Sequence, residues 1–335
     1  MNKINIGVIG LGYWGPNYLR NFLRCEGVGQ LWGCDISDSI LTKIGKSFPQ
    51  VQLVKDYHTL LEDKNINLLA IATPPETHFK IATDALKAGK HVFIAKPLTT
   101  NSKDALKLLK LAKQKKLLLH CDLTYLYTSG VRKIKELVSK KAIGKPLFYD
   151  SIRTNLGLFQ NNANVVWDLA PHDLSILSFC FSLIPKSVFA VASKHFRKLH
   201  HEEVAHITIK YTHNFIAHIH VSWLSPVKIR SIFIGGTKKM ISFDDVQPDE
   251  KVKIYDKGVD LPTESITPFK PIYRSGDIVI PRLDNNEALW IEINEVVNNI
   301  KNKTINYDIA DLAVDNLLLL EACDKSIKHN KLIVL

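Results

Sequence analysis

Three glycines near the amino terminus have the spacing of a loop that binds phosphate groups. Gly10, Gly12 and Gly15 form a G-x-G-x-x-G pattern between an apolar stretch, 4–9, and a helical pattern that begins at Pro16. The first glycine of such a loop permits a tight turn, the second lets a pyrophosphate approach the backbone, and the third allows close helix–strand packing. The phosphates then bind free N–H groups at the positive end of the helix dipole. The pattern and its context therefore predict a dinucleotide-binding turn.

An acidic residue follows at the position where such a turn needs a partner for the ribose. Asp35 ends a second short apolar stretch, 31–35, about 25 residues after Gly10, which suits a carboxylate that binds the adenosine ribose hydroxyls. That carboxylate would repel a 2′-phosphate, and no arginine follows it in 36–38. We therefore predict NAD as the cofactor, in preference to NADP.

A second group of reactive side chains lies in the middle of the chain. Asp168 and His172 are four residues apart in the helical pattern 166–174, so on a helix they share a face. A carboxylate beside an imidazole sets its tautomer and raises its basicity. Such a pair suits a general base that takes a proton from a hydroxyl while hydride leaves the same carbon. An ordinary surface or capping pair is the alternative interpretation of this spacing.

Polar residues also follow two predicted strands of the amino-terminal half. The buried strand 67–73 leads into 74–78, which we predict to be a loop, and the strand 91–94 leads into Lys96. Ligands of open α/β sheets bind at the carboxyl ends of the strands. Lys96 is therefore a candidate for a functional residue, although a lysine elsewhere would be an ordinary surface residue.

Strands and helices alternate through the first 120 residues, which is typical of a parallel sheet. The predicted strands are 4–9, 31–35, 51–54, 67–73, 91–94 and 117–120. The predicted helices begin at Pro16 and near Tyr57 and cover 39–48, 79–88 and 102–115. We predict a doubly wound, Rossmann-type α/β domain over residues 1–121.

The pattern changes from about Cys121 onward. After a helix at 131–139, long strand-like stretches alternate with polar turns, at 147–153, 187–193, 204–211, 215–223, 227–234, 239–243 and 252–255. Helical patterns return at 286–300 and 310–329. This arrangement predicts an α+β domain over residues 122–335, built on a large, mostly antiparallel sheet.

Composition limits the classes of protein to which the chain can belong. With 335 residues, 46% of them hydrophobic and 23% charged, it has the composition of an ordinary globular protein with room for two cores. The formal net charge of +11 is spread along the chain, and no nucleic-acid motif accompanies it. No apolar run reaches the ~20 residues that a membrane helix needs. We expect a cytoplasmic protein without nucleic-acid or membrane partners.

The cysteines and histidines indicate neither a disulfide framework nor a metal site. The five cysteines form no C-x-x-C pair, which fits a reducing compartment better than a disulfide framework. His206, His213, His218 and His220 lie on or beside predicted strands, and we expect them on a sheet face or an interface. We predict no metal site.

Four motifs in this order resemble one family along essentially the whole chain. GLGYWGPN, ATPPETH, AKPL and WDLAPHDL, with the segments SIRTNLGLFQ and EACDKSIK, are similar to the glucose–fructose oxidoreductase / inositol dehydrogenase / MocA family. The resemblance implies an amino-terminal Rossmann domain and a carboxyl-terminal domain with a large, mostly antiparallel sheet. It implies dimers or tetramers formed through the open face of that sheet. It also implies oxidation or reduction of a sugar or cyclitol carbon with NAD(P).

The resemblance assigns roles to individual residues. Lys96 would hydrogen-bond the reacting oxygen, His172 would be the acid/base, and Asp168 would orient His172 or contact a neighbouring hydroxyl. The remaining cofactor residues would be Tyr13, Trp14, Thr73, Pro74 and His78, beside the glycines, Asp35 and Lys96. The remaining candidates for the sugar pocket are Tyr125, Arg153, Asn155 and Trp167.

One residue departs from the family pattern. The family has a glutamate before the lysine, near the cofactor, and this chain has Ala95. Since Lys96, Asp168 and His172 are present, we expect a competent site. WDLAPHDL most resembles members that act on nucleotide sugars for surface polysaccharides, such as 3-dehydrogenases of UDP-N-acetylhexosamines. A dehydrogenase of free sugars or inositol, and a non-catalytic NAD-binding regulator, are the alternatives.

Overall fold

The computed structural model describes residues 3–157, 163–196, 201–260 and 271–335. They form two compact units: the first runs to Tyr127 and includes Asn286–Leu318, and the second contains Thr128–Asn285 and Leu319–Leu335. Residues 158–160, the end of the SIRTNLGLFQ motif, lie outside the described residues. The domain division at residue 121 stays a prediction, and the compact units differ from it in placing 122–127 and 286–318 with the first unit.

A six-stranded sheet forms the centre of the first unit. Its strands are β1 (Ile4–Ile9), β2 (Val28–Cys34), β3 (Gln52–Val54), β4 (Leu68–Ile71), β5 (His91–Ala95) and β6 (Leu119–Asp122). They pair in the order β3-β2-β1-β4-β5-β6, and every pair is parallel. The predicted doubly wound parallel sheet is therefore confirmed, and the carboxyl ends of all six strands meet at one edge.

Helices connect these strands and cover the sheet. They are α1 (Gly15–Leu23), α2 (Asp38–Ser47), α3 (His58–Glu62), α4 (Pro75–Lys87) and α5 (Ser102–Lys115). The prediction of a loop at 74–78 is wrong, because α4 already begins at Pro75. A proline is well suited to the first helical position, where its missing N–H would have no intrahelical acceptor. His78 consequently lies in the first turns of a helix.

One helix from the far end of the chain belongs to the core of the first unit. Leu289, Ile293 and Val296 of α8 (Ala288–Lys301) pack in the same buried cluster as Tyr18 and Phe22 of α1. Burying these apolar side chains removes them from water, which stabilises the docking of α8 on the unit. Sequence periodicity predicted the helix, but only packing assigns it to this unit.

A nine-stranded sheet forms the second unit, in the order β14-β13-β12-β11-β7-β10-β9-β8-β15. Its strands are β7 (Pro146–Leu156), β8 (Pro185–Ser193), β9 (Val204–Tyr211), β10 (Ile216–Ser222), β11 (Leu224–Gly236), β12 (Met240–Asp244), β13 (Val252–Asp260), β14 (Ile272–Val279) and β15 (Ile333–Val334). All pairs are antiparallel except β7 with β10. The predicted mostly antiparallel sheet is confirmed.

The two faces of this sheet differ in burial. Ala190, Ile207 and Ile219 are buried on one face, whereas Phe189 and His218, their neighbours along the strands, are exposed on the other. Alternation of this kind indicates a sheet with one packed face and one open face. The helices of this unit are α6 (Ser129–Ser139), α7 (Val165–Cys180) and the carboxyl-terminal part of α9 (Asp308–His329), and α7 packs on β7, β9 and β10.

A buried ion pair fixes α7 on the sheet. Arg153 Nε of β7 donates to Asp173 Oδ2 of α7 over 2.6 Å, and the two side chains are only 3% and 1% exposed. The phenol of Tyr149, also on β7, donates to the backbone carbonyl of Asp173. Removing one member of a buried pair leaves the other charge without compensation, which is far costlier than losing an exposed pair.

No helix in the described ranges is both long and apolar enough to span a lipid bilayer.

We predict that Asp173→Asn lowers the free energy of unfolding by about 3 kcal/mol, because it leaves the buried Arg153 guanidinium without its carboxylate. Urea unfolding followed by circular dichroism measures the change. Glu136→Gln is the matched control on α6, since Glu136 pairs only with lysines at the surface and its loss should be much smaller. Equal losses in the two variants would contradict this account of how α7 is held.

Candidate active site

The glycine loop, residues 10–15, is packed closely on one side and open on the other. Gly10 has φ of +88°, and a Cβ built on it would lie 2.7 Å from the backbone carbon of Ala72. A Cβ on Gly15 would collide with the carbonyl oxygen of Gly10, whereas a Cβ on Gly12 would meet nothing within 4 Å. Gly10 and Gly15 are therefore required by the fold, and Gly12 leaves open space in which a ligand can approach the backbone.

Backbone donors face this open space. Among the residues that the structure describes, none accepts a hydrogen bond from the N–H groups of Gly12, Tyr13 or Trp14. These groups precede the first turn of α1, whose dipole favours negative charge at that end. Open space, unpaired donors and a positive helix end together fit the pyrophosphate of a dinucleotide.

Asp35 holds the glycine loop against the end of β2. Its Oδ2 accepts from the Leu11 N–H over 2.8 Å, and its Oδ1 accepts from the Ser37 N–H over 3.0 Å. The side chain is half-buried and lies at the carboxyl edge of the parallel sheet. The residue chosen from its spacing therefore also organises the loop, a function that the spacing did not indicate.

The two aromatic residues of the loop have different environments. Tyr13 is 91% exposed and its ring is stacked on that of Trp14, with centroids 6.3 Å apart. Trp14 is half-buried, and its indole Nε1–H donates to Asp122 Oδ2 over 2.8 Å. Asp122 thus contacts the loop directly, although it was not among the residues predicted for the site.

His78 connects the segments that follow β4 and β5. Its Nδ1 lies 2.9 Å from the carbonyl oxygen of Pro97, and its Nε2 lies 2.9 Å from that of Thr73. Burial lowers the pKa of His78, whose side chain is almost fully enclosed. Pro74 is exposed beside it, and the Thr73 hydroxyl hydrogen-bonds that of Thr77.

Lys96 lies where the sequence predicted, immediately after β5 and beside Pro97, the residue that His78 contacts. Ala95 is the last residue of β5 and pairs in register with Asp122 of β6. Both Ala95 and Lys96 are half-buried. Since β4 and β5 are adjacent, Thr73, His78 and Lys96 share the carboxyl edge of the first sheet with the glycine loop.

In the second unit, Asp168 and His172 lie one turn apart on α7, as their spacing predicted. Asp168 Oδ2 accepts from the indole Nε1–H of Trp223, which follows β10 and is fully buried. His172 is half-buried, and Pro171 before it has no N–H to donate to the helix. The pair therefore lies on one face of α7, and the indole of Trp223 orients the carboxylate from the end of β10.

The four weaker sugar-pocket candidates have varied environments. Arg153 is buried in the ion pair with Asp173, so its guanidinium supports α7. The indole Nε1–H of Trp167 donates to Asp324 Oδ2 over 2.6 Å. Asn155 is half-buried near Gly157, and Tyr125 is half-buried in a short 3-10 helix at 124–127.

Three residues that hydrogen-bond candidate site residues were not predicted from the sequence. Asp122 holds Trp14, Trp223 holds Asp168, and Asp324 of α9 holds Trp167. Asp122 could have been suspected, because it ends a strand at the ligand-binding edge. Trp223 and Asp324 carry no local signal, since their partners are distant in the sequence.

The strand histidines lie on the open face of the second sheet. His206 and His220 are cross-strand partners with rings stacked 4.2 Å apart, and His218 Nδ1 lies 2.9 Å from the Thr208 hydroxyl. Within the described ranges, no group of three or more metal-binding side chains converges.

Comparisons with known proteins agree with this geometry. A family model for an oxidoreductase family with an NAD-binding Rossmann fold matches residues 4–123, and the GFO/IDH/MocA C-terminal domain matches residues 131–242. An uncharacterised oxidoreductase of Escherichia coli, YdgJ, is 30% identical over 54% of this chain and 55% of its own. A myo-inositol 2-dehydrogenase of Thermotoga maritima is 26% identical over 57% of this chain and 58% of its own. The chain spans little more than half the length of these curated relatives.

Solved structures share the fold over the whole chain. The UDP-N-acetylglucosamine 3-dehydrogenase GnnA of Acidithiobacillus ferrooxidans has a TM-score of 0.80 at 19% identity, covering 98% of this chain and 99% of its own. GenD2 from gentamicin A biosynthesis, solved with NAD, has a TM-score of 0.84 at 17% identity, covering 100% and 97%. At this identity, the similarity establishes the fold alone.

Three observations lead to one conclusion. The glycine loop lies on an all-parallel sheet, the second sheet is mostly antiparallel, and two domain models of one family match the chain. The chain belongs to the glucose–fructose oxidoreductase / inositol dehydrogenase / MocA family of oxidoreductases, and its first unit is an NAD-binding Rossmann domain.

Proposed function

We propose that this protein is an NAD-dependent dehydrogenase of a sugar ring hydroxyl, with a nucleotide sugar as its substrate. The reaction is that of a UDP-N-acetylhexosamine-type 3-dehydrogenase in the biosynthesis of surface polysaccharide. The observation that carries the proposal is the pair on α7, in which a carboxylate fixed by the Trp223 indole stands one turn from His172. A family with an NAD-binding domain supplies the redox partner for such an acid/base pair.

His172 is the general base that takes the proton of the reacting hydroxyl, and it returns a proton in the reverse direction. Asp168 orients His172 or binds a neighbouring hydroxyl, and the hydrogen bond from Trp223 holds it in place. Lys96 donates a hydrogen bond to the reacting oxygen and so polarises it. A nicotinamide held by this chain would supply the hydride acceptor for the same carbon. The glycine loop, Asp35, Thr73, Pro74 and His78 hold the dinucleotide.

The preference for NAD rests on Asp35. Two backbone N–H groups fix its carboxylate at the end of β2, where it can accept from ribose hydroxyls and repels a 2′-phosphate. Leu11 and Ser37 supply these N–H groups, so the charge is part of the loop structure rather than a mobile surface group.

The choice of a nucleotide sugar rests on the WDLAPHDL motif and is supported by the fold shared with GnnA. The curated inositol dehydrogenases among the relatives support the main alternative, a dehydrogenase of free sugars or inositol. Ala95, in place of the family glutamate, motivates the third possibility, an NAD-binding regulator without turnover.

Ligand-dependent thermal unfolding tests the proposal. A ligand that binds only the folded state raises the melting temperature, by an amount that grows with its concentration above Kd. We expect a rise with NAD that exceeds the rise with NADP and increases further with one UDP-sugar. A further increase with free aldoses or inositols alone would support the main alternative instead. No rise with either dinucleotide would contradict the proposal.

Kinetics of two variants test the catalytic roles. We predict that His172→Ala and Lys96→Ala each lower kcat about a hundredfold or more, because each removes a proton-transfer or polarising group from the reaction. The Kd for NAD should change little in His172→Ala. Lys110→Ala, which removes an exposed lysine from α5, is the control. Turnover that is unaffected by either variant would refute these roles, and a wild-type protein that binds NAD without turnover would favour a regulator.

We also propose a homodimer or homotetramer that forms through the open face of the second sheet. Phe189 and Phe233 are exposed in the same cross-strand row as His218, on the face opposite α7. Exposed apolar side chains grouped in this way favour association. Size-exclusion chromatography with light scattering should give a dimer or tetramer, and Phe233→Glu should shift it toward the monomer. Leu106→Glu on α5 is the control, and a monomeric wild type would contradict the proposal.

A further inference from the structure

Asp122 is a buried carboxylate with an unusual number of donors. It ends β6, is 4% exposed, and its Oδ2 accepts from the Trp14 Nε1–H over 2.8 Å and from the Tyr18 hydroxyl over 2.7 Å. Its Oδ1 accepts from the backbone N–H and from the hydroxyl of Thr124. Because all of these partners donate, Asp122 acts as the acceptor and carries the negative charge.

Glu292 of α8 is a second carboxyl group at this place, and it is fully buried. Its Oε1 accepts from the Leu123 N–H over 3.1 Å and lies 2.9 Å from His120 Nε2. No donor reaches its Oε2 among the described residues, and the carboxyl group of Asp122 is near enough to raise the pKa of Glu292, both by its charge and through a hydrogen bond between the two side chains. Two carboxyl groups can share a hydrogen bond only when one carries a proton. Since Asp122 is saturated with donors, the proton belongs to Glu292.

The surroundings favour this protonated form. Burial, followed by the charge of Asp122, raises the pKa of Glu292 well above its ordinary value, and Glu295 on the same helix raises it further. His120 does not supply a compensating charge, because burial lowers its pKa to about 3. Burial likewise raises the pKa of Tyr18, so the phenol keeps its proton and remains a donor.

We propose that Asp122 and Glu292 form a carboxyl pair that shares one proton and positions Trp14 in the glycine loop for binding the dinucleotide. Asp122 and Glu292 are positioning residues, since they act through Trp14. The inference rests on the dinucleotide-binding part of the proposed function and is independent of the sugar.

The geometry explains why the position of Trp14 matters. Trp14 lies between Gly12 and Gly15, its ring stacks on the exposed Tyr13, and its edge meets the buried Tyr18. The bond to Asp122 therefore fixes the ring plane of Trp14 and the part of the loop that follows Gly12. A loop that is ordered before binding avoids the entropic cost of ordering when the ligand arrives.

A double-mutant cycle on dinucleotide affinity tests the inference. We expect Asp122→Asn and Trp14→Phe each to raise the Kd for NAD about tenfold, because each breaks the same charge-assisted hydrogen bond. The double variant should bind no more weakly than the weaker single variant, since both changes remove one interaction. Glu62→Gln, which changes an exposed carboxylate of α3 in the same unit, is the control, and it should leave the Kd unchanged. Additive losses in the double variant would overturn the inference.

The pH dependence of stability tests the shared proton. Between the ordinary pKa of a glutamate and the raised pKa of Glu292, the folded state keeps a proton that the unfolded state has released. The wild type therefore loses stability as pH rises through this window. Glu292→Gln cannot release a proton, and its amide N–H can still donate to Asp122. The melting temperature of this variant, minus that of the wild type, should increase steadily from pH 5.5 to 8.5.

The outcomes separate this inference from the proposed function. A difference that stays constant or falls with pH would overturn the shared proton and with it the inference. A wild type that binds NAD and gives the expected cycle, but oxidises no sugar, would refute the proposed function alone. A wild type that binds neither dinucleotide would overturn both.

Discussion

The close packing of the glycine loop on the end of β4 is the constraint on which the rest of the first unit depends. Gly10 approaches the backbone of Ala72 and Thr73 so closely that no Cβ would fit, and Gly15 is equally close to Gly10. This contact fixes where α1 begins relative to the strands beside β1. Within the described part of the chain, the turn that results leaves Gly12 open on one side and the N–H groups of residues 12–14 without an acceptor. The dinucleotide-binding character of the unit is thus a consequence of backbone packing.

Partly buried polar contacts hold the candidate functional side chains in both units. Trp14 donates to Asp122 beneath the glycine loop, and Trp223 donates to Asp168 of the proposed acid/base pair. An indole N–H suits this purpose, since its large apolar ring is buried while its single donor reaches a carboxylate. A buried donor or acceptor without a partner is costly, so each contact favours one orientation of the side chain. The hydrogen bonds therefore orient Trp14 and Asp168 without a ligand.

Ala95 has a specific environment in this arrangement. Its register partner is Asp122, so the place beside Lys96 where the family has a glutamate adjoins a carboxylate on the neighbouring strand. Another carboxylate at position 95 would face Asp122 and Glu292 in a region that already contains one negative charge. Like charges that share a buried site repel one another, which gives a physical reason for a small neutral residue here. The departure is therefore consistent with an active site of this family.

Much of the architecture was determined by local sequence. The strand–helix alternation gave the parallel sheet, the glycine spacing gave the turn, and Asp168 and His172 lie on one helix as their spacing indicated. Each of these features depends on residues close together in the chain, where periodicity and turn chemistry act. The boundary at Pro75 was misjudged, because prolines mark both loops and first helical turns, and strands β14 and β15 were not predicted.

Tertiary structure decided what depends on residues far apart in the chain. It placed α8 in the core of the first unit, joined Arg153 to Asp173 in a buried ion pair, and brought Asp122 to Trp14. Burial and pairing over a hundred residues leave no trace in a local pattern. A side chain can be chosen from sequence for the chemistry of its group, but the partners that orient it are known only once the chain has packed.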